Sequence, residues 1–193
     1  ITAPDGTRSA EITSYTGNST TIEIPETVVD ATDNTTYNVT SIKGEFLDGN
    51  STATTLVISR YVENIEGDFL SGNDTLRTIQ VDTNNQYFSA TNGVLFSKDQ
   101  TMLIKYPPAK TGTNYTMPNT TRSLSNHAFA NVSVLQTLTL SNQLLVISNS
   151  AFAGATSIYR ITFQTATPPY LTGFKAFRVT TENGLQLRVP RNS

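Results

Sequence analysis

The feature that most constrains the fold is a near-repetition at a fixed interval. Residues 124–140 read LSNHAFANVSVLQTLTL, and residues 147–163, twenty-three positions later, read ISNSAFAGATSIYRITF. Two further copies align with them at residues 39–58 and 62–81. The apolar positions persist in all four copies while the polar letters change. Because one unit of this length cannot bury its own apolar face, the units must stack on one another into a solenoid with a continuous core.

Each unit is organised around one apolar pivot residue. The pivots are Leu47, Leu70, Phe129 and Phe152, and a degenerate fifth copy has Phe177. Two residues after each full pivot comes Gly or Asn, which tolerates the positive φ of a tight bend. Nine and eleven residues after it come two apolar residues separated by a polar one, which predicts a short strand with one buried face. Before the bend there is room for about one helical turn, so each unit is predicted as strand, bend, short helical or irregular turn, and return.

These units, with their AFAG and AFAN cores, resemble the BspA-like leucine-rich repeats of surface proteins. The segment 84–129, which contains GVLFSKD and MLIKYP, resembles the strand pair that interrupts the repeats in that family. The stretch TATPPYLTGFKAF and the final LQLRVPRNS resemble its C-terminal unit, and AEITSYTGNSTTIEIPETV resembles its entry unit.

The resemblance implies an α/β repeat solenoid of leucine-rich type. We expect a right-handed superhelix of about six or seven turns, with short strands on one face and short helical or irregular turns on the other. Residues 1–193 are predicted to form a single domain. Its expected parts are an entry unit (1–38), repeats 1 and 2 (39–82), the interrupting strand-pair segment (83–121), repeats 3 and 4 (122–166) and a C-terminal unit (167–193).

One departure from the family pattern concerns the residue directly after the bend. Family repeats often carry Cys directly after the bend glycine, where this chain has Asn50, Asn73, Val132 and Ala155. An inward-facing Asn needs hydrogen-bond partners to offset its desolvation. If Asn50 and Asn73 point inward, their Asn-x-Ser/Thr sequons cannot carry glycans.

The composition offers few routes to catalysis or to charged partners. With a net charge of −2 and no Cys, the chain lacks the clustered basic face that nucleic acid requires and has no thiolate chemistry. The single His, His127, matches Ser150 of the next repeat and is predicted as a solvent-facing turn residue. We therefore expect no catalytic, metal-binding or cofactor-binding residues, no enzyme activity, no nucleic-acid partner and no direct membrane insertion. Carboxylates converging from distant positions are the one hydrolase arrangement that the sequence leaves open.

The remaining candidate is the open face of the strands. Side chains between the buried positions should form a polar ladder, and this ladder is the predicted partner-binding face. Its residues are Thr55, Val57, Thr78, Gln80, Thr137, Thr139, Arg160 and Thr162, with the nearby Tyr159 and Tyr170 as aromatic anchors. Thr also forms strands well, so good sheet formation alone is the simpler explanation of the ladder.

The resemblance implies an extracellular, cell-surface binding role. BspA-like proteins are associated with adhesion to host matrix proteins, such as fibronectin and fibrinogen, and with contact between cells. Two other interpretations are open: a structural spacer or stalk within a larger surface protein, and a carbohydrate-binding module. A hydrolase should show a pocket of converging acids, a sugar binder should show an exposed aromatic platform, and a stalk should show neither.

Overall fold

The computed structural model describes residues 8–173, 176–177 and 184–190. The remaining positions of the predicted entry and C-terminal units, 1–7, 174–175, 178–183 and 191–193, lie outside the described residues. The first strands are β1 (Ser9–Ile12), β2 (Thr21–Glu23), β3 (Thr27–Val29), β4 (Thr36–Ile42), β5 (Thr55–Ile58), β6 (Asn64–Ile65) and β7 (Thr78–Val81). The middle strands are β8 (Phe88–Thr91), β9 (Val94–Ser97) and β10 (Met102–Lys105). The last are β11 (Asn114–Thr116), β12 (Ser123–Leu124), β13 (Thr137–Thr139), β14 (Val146–Ser148), β15 (Arg160–Thr162), β16 (Tyr170–Thr172) and β17 (Gln186–Arg188).

The chain winds as a β-solenoid of about six turns. Each turn carries a first and a second strand, and each strand pairs in parallel with its counterpart in the next turn. The first strands form the series β1–β4–β6 and β10–β12–β14–β16, while the second strands form β2–β5–β7 and β11–β13–β15–β17. In these second strands the predicted apolar positions lie directly opposite one another, as Leu56 does with Ile79 and Leu138 with Ile161. The predicted stacking of repeat on repeat is confirmed.

The prediction of an α/β solenoid with helical turns is wrong, because none of the described residues is helical. In three of the four full units the bend has left-handed residues on both sides of the pivot; in the unit of Leu70 only Gly72, after the pivot, has positive φ. Besides the expected Gly49, Asn131 and Gly154, the residues two positions before the pivot also have positive φ, at 57° for His127 and 56° for Ser150. Only three residues separate these two left-handed positions, so a right-handed helix cannot develop between them.

A hairpin divides the interior into two apolar cores. The predicted strand pair is present as β9 and β10, which pair antiparallel and are extended by β8. Both strands are buried on both faces: Leu95 and Ile104 belong to an N-terminal core, while Phe96 and Leu103 belong to a C-terminal core. The hairpin is therefore a shared wall between the two halves, not a surface insertion.

The interrupting segment also conceals a repeat. Tyr106 lies twenty-three residues before Phe129 and its ring stacks on the Phe129 ring with centroids 5.3 Å apart. Phe129 stacks in turn on Phe152 at 5.3 Å, and Phe152 on Phe177 at 5.1 Å. Tyr106 is thus the pivot of a further unit, whose β11 supplies Tyr115 at the expected nine residues beyond it. Pro107 and Pro108 replace the bend, which is why the sequence pattern concealed this unit.

The asparagines after the bend glycines face inward, as the sequence analysis required of a buried position. Asn50 is 7% exposed and Asn73 is 1% exposed. The Asn73 Nδ2 donates to the Asn50 carbonyl at 2.8 Å, and the Asn73 Oδ1 accepts from the Leu76 N–H at 3.0 Å. These two sequons are buried and hydrogen-bonded, so they are not accessible for glycosylation. A third inward asparagine, Asn85, donates to the carbonyls of Ser59 and Val62, both at 2.9 Å.

Candidate binding face

The outward-facing residues of the second strands form two ladders instead of one. In the N-terminal ladder, Thr55 lies opposite Thr78, and Val57 opposite Gln80. In the C-terminal ladder, Thr137 lies opposite Arg160, and Thr139 opposite Thr162. Every residue of the predicted face except Tyr170 belongs to, or is adjacent to, one of these two sheets.

The hairpin that divides the core also separates the ladders. The turn between β8 and β9 lies against β7, where the Ile79 N–H donates to the Gly93 carbonyl at 3.0 Å. Lys110, from the segment leading to β11, donates through its Nζ to the Asn92 carbonyl. A backbone turn and a lysine therefore occupy the position where one more strand would have joined β7 to β11.

The C-terminal ladder contains an arginine that lies next to an aromatic ring. Arg160 lies between Thr137 on β13 and Gln186 on β17. Its guanidinium carbon lies 5.3 Å from the centre of the adjacent Tyr159 ring, a cation–π distance. Among the described side chains, the Arg160 Nε is the only buried polar atom without a hydrogen-bond partner. Because the Nε is buried, an acceptor from outside the chain does not reach it directly.

Tyr170 does not lie with the rest of the predicted face. It is in β16, on the sheet of first strands, where it pairs with Val146 of β14. Its side chain is 72% exposed, and the neighbouring Leu145 is 59% exposed. Tyr170 therefore marks a separate, apolar patch on a different sheet from Arg160.

The other tyrosines considered as anchors have different environments. Tyr106 is 1% exposed inside the aromatic stack, and Tyr87 is 48% exposed after the buried Asn85. Tyr61 is half-buried, with the guanidinium carbon of Arg60 lying 4.7 Å from its ring centre.

One cluster of catalytic residue types lies where the two halves meet. The Lys105 side chain is almost fully buried, and its Nζ donates to the His127 carbonyl at 2.9 Å. Burial lowers the pKa of Lys105 to about 8, and the nearby Asp68 charge opposes that shift. His127 is half-exposed, with its Nδ1 lying 3.8 Å from an Asp68 carboxylate oxygen. The part of the chain that the structure describes holds no group of three or more His, Cys, Asp or Glu side chains suited to a metal ion.

Two of these features do not follow from the sequence pattern. The sequence predicts Lys105 only as part of a strand, and nothing in a single sequence marks a lysine as buried. The pivot role of Tyr106 had a usable signal, because Phe129, Phe152 and Tyr106 share one twenty-three-residue interval.

The repeat geometry agrees with comparison to known protein families. Residues 109–179 match the BspA type leucine-rich repeat region (6 copies). The resemblance read from the sequence is confirmed, and the match begins before the first unit that the letters alone revealed in this half. No curated protein matches the chain in sequence.

Solved structures with the same fold come from bacteria. The chain is similar to the pneumococcal vaccine antigen PcpA, with a TM-score of 0.57 and 19% identity, covering 81% of this chain and 50% of that one. It is also similar to a leucine-rich repeat protein from Eubacterium ventriosum, with a TM-score of 0.52 and 23% identity, covering 68% of this chain and 42% of that one. At these identities the likeness shows the fold alone. The chain spans half or less of the length of both proteins.

The described residues include no helix long and apolar enough to cross a lipid bilayer.

Proposed function

We propose that this chain is a non-catalytic protein-binding module of a cell-surface protein, and that it binds its partner through the C-terminal ladder. Leucine-rich repeat solenoids generally act as interaction scaffolds, because stacked repeats present an extended rigid surface. The BspA type repeat region and the likeness to PcpA, which is a vaccine antigen, support the cell-surface location.

The observation that carries this proposal is the place of Arg160, which is half-buried on the outward row of β15 with its guanidinium carbon 5.3 Å from the centre of the Tyr159 ring. On the N-terminal ladder the equivalent position is Thr78, which also comes eight residues after its pivot but offers only a hydroxyl. The C-terminal ladder adds a second arginine, Arg188, two positions beyond the residue paired with Arg160. Arginines are enriched at interface hot spots because the guanidinium donates several hydrogen bonds in a fixed plane.

The partner that fits this ladder is a protein surface rich in carboxylates or backbone carbonyls. Thr137 and Thr139 of β13 and Thr162 of β15 offer hydroxyls next to Arg160, and each is half-buried along its strand. The face is broad and shallow, and it suits a large partner better than a small molecule. Host matrix proteins and the surfaces of other cells are the partners that we propose.

The test is binding of the purified chain to immobilised matrix proteins and glycans at physiological salt. Arg160→Glu would be compared with Thr78→Glu, which places the same charge at the matched position of the other ladder. We expect saturable binding to a protein ligand that Arg160→Glu weakens at least roughly tenfold and Thr78→Glu leaves within about twofold. Equal losses in both variants, with unchanged thermal midpoints, would refute the assignment to the C-terminal ladder.

The exposed ring of Tyr170 favours carbohydrate binding as a second candidate function, because an exposed aromatic face can stack on a sugar. Loss of glycan binding in Tyr170→Ala, with Arg160→Glu unaffected, would support it. If a well-folded chain binds none of the immobilised proteins or glycans, the result would instead support a structural spacer.

A further inference from the structure

The two ends of the solenoid have complementary surfaces. Among the described strands, β1 and β2 are the outermost at one end, and β16 and β17 are the outermost at the other. Each of these four strands has a single neighbour among the described strands, and a strand with one neighbour can accept another along its second edge.

The C-terminal end exposes side chains that are buried elsewhere in the stack. Leu187 of β17 continues the row of Leu138 and Ile161, yet it is 53% exposed where Ile161 is fully buried. Leu171 of β16 likewise continues the row of Ile147 and is 45% exposed. Exposed apolar side chains in the inward row of an end strand mark a surface that a further layer would bury.

The N-terminal end offers an apolar depression in the same layer. A cavity of about 320 Å³ lies in the first turn, lined by Ile12 of β1, Ile22 of β2, Ile24, Tyr15 and Phe46. Glu23, the outward neighbour of Ile22, is exposed at its rim. Tyr15 is half-buried, and its N–H donates to the Phe46 carbonyl at 3.0 Å, as the N–H groups of the pivots Phe129 and Phe152 donate to the carbonyls of Ala151 and Ala176, so Tyr15 occupies the pivot position of this turn.

We propose that the N-terminal end of a second copy of this chain stacks on the C-terminal end of the first, so that β17 adds to β2 and β16 adds to β1. Continuing the register of the sheet would place Leu187 over Ile22 and Arg188 opposite Glu23. Strands in a sheet lie about 4.8 Å apart, which brings an arginine and a glutamate at facing positions within ion-pair reach.

The first strands and the pivots are matched in the same way. Ile12 pairs with Ile42 in the inward row to which Leu171 belongs at the other end, so these two side chains would meet. Phe177, the last ring of the aromatic stack, is half-buried and would face Tyr15. One arrangement therefore brings together the apolar side chains of both ends, the two aromatic pivots and a pair of opposite charges. For this reason we propose a second copy of the chain as the partner of these ends.

This contact joins two different surfaces of the molecule, so each dimer still has one free end of each kind and can add further copies. Such a head-to-tail interface produces dimers and then longer rods as the concentration rises. It does not use Arg160, and it can therefore fail or succeed independently of the proposed ligand binding.

The experiment is sedimentation velocity of the purified chain over a wide concentration range. We expect wild type to associate reversibly into dimers and longer species. Arg188→Glu places two glutamates at the contact and Glu23→Arg places two arginines there, so each variant alone should associate at least roughly tenfold more weakly. Thr116→Glu, on the outward row of β11 and away from both ends, is the matched control and should associate as wild type does.

Mixing the two single variants provides the decisive arm. In an equimolar mixture each end faces an opposite charge, so association should return to the wild-type level. The proposal is overturned if wild type remains monomeric at the highest concentration. It is equally overturned if wild type associates but neither charge reversal changes its affinity, or if the mixture of well-folded variants fails to recover.

Discussion

The two halves of this solenoid use different side chains to donate hydrogen bonds to equivalent backbone carbonyls. In the N-terminal half, Asn73 donates to the carbonyl of Asn50, and the Thr75 hydroxyl donates to the carbonyl of Ala53 at 2.7 Å. In the C-terminal half, one serine serves both equivalent carbonyls. The Ser157 Oγ lies 3.1 Å from the Val132 carbonyl oxygen and 2.7 Å from that of Leu135.

The difference shows how the position directly after the bend can be polar in one half, as Asn73 is, and apolar in the other, as Val132 is, within the same fold. A serine hydroxyl has a single hydrogen, so Ser157 donates to one carbonyl at a time, while Asn73 and Thr75 donate to both at once. The C-terminal half gives up a hydrogen bond and gains apolar contact at Val132 and Ala155, both fully buried. It also stacks its pivot rings, whereas Leu47 and Leu70 in the N-terminal half pack as aliphatic side chains.

Truncating a ring in the middle of the aromatic stack should have the largest effect on stability. Phe129→Ala removes a fully buried ring that stacks on Tyr106 and on Phe152. We expect a loss of about 3–5 kcal/mol in the free energy of unfolding, measured by urea denaturation. Phe129→Leu converts the position to the aliphatic pivot of the other half and should lose less. Equal losses in the two variants would mean that ring stacking adds nothing beyond apolar volume.

Replacing an inward asparagine tests whether the two halves are interchangeable at that position. Asn73→Val should lower the free energy of unfolding by about 2–3 kcal/mol, although valine is the native residue at the equivalent Val132. The Asn50 carbonyl and the Leu76 N–H would lose their partners inside the core. Ser157→Ala, the matched change in the C-terminal half, should lose about 1 kcal/mol. A neutral Asn73→Val would show that the buried amide is dispensable.

The buried lysine at the junction of the halves should produce an unusual pH dependence. Lys105 has a pKa of about 8 in the folded chain and 10.5 as its ordinary value, so the unfolded chain binds more protons between these two limits. Stability must therefore rise with pH in that window, by about 2 kcal/mol from pH 8 to pH 10. Burial raises the pKa of Tyr106 to about 12, so above about pH 10 the unfolded chain loses its tyrosine proton first and stability should fall.

Thermal midpoints across this pH range, for wild type and Lys105→Met, provide the check. The variant should lose the rise and keep the fall. A wild-type midpoint that declines steadily from pH 8 upward would contradict the assignment of a neutral buried amine.

Replacing the bend glycines should give the smallest change in the free energy of unfolding. Gly49 and Gly72 have φ of 69° and 73°, so alanine is strained at both. A Cβ at Gly72 would also lie 2.8 Å from the backbone nitrogen of Gly49 in the previous turn, whereas a Cβ at Gly49 meets nothing within 4 Å. Gly49→Ala should cost about 1 kcal/mol and Gly72→Ala measurably more, by urea denaturation. The reverse order would argue against this stacking of the bends.

The sequence predicted the stacked units because their apolar letters recur at one interval. The pivots, the bend residues and the alternation in β5, β7, β13 and β15 follow from that periodicity. The helical turn was mispredicted because His127 and Ser150 are ordinary residues whose positive φ has no marker in a single sequence. The division of the ladder depends on the hydrogen bond between the Ile79 N–H and the Gly93 carbonyl. Gly93 lies outside the repeated units, so the repeat pattern does not predict this contact.

Native-state hydrogen–deuterium exchange tests most directly whether the β9–β10 hairpin is a buried wall shared by two differently built halves. We expect amides in 94–97 and 102–105 to exchange as slowly as those of β13 and β15, because both hairpin strands are buried on both faces. Exchange in the hairpin as fast as in the exposed loop 30–34, while β13 and β15 remain protected, would contradict it.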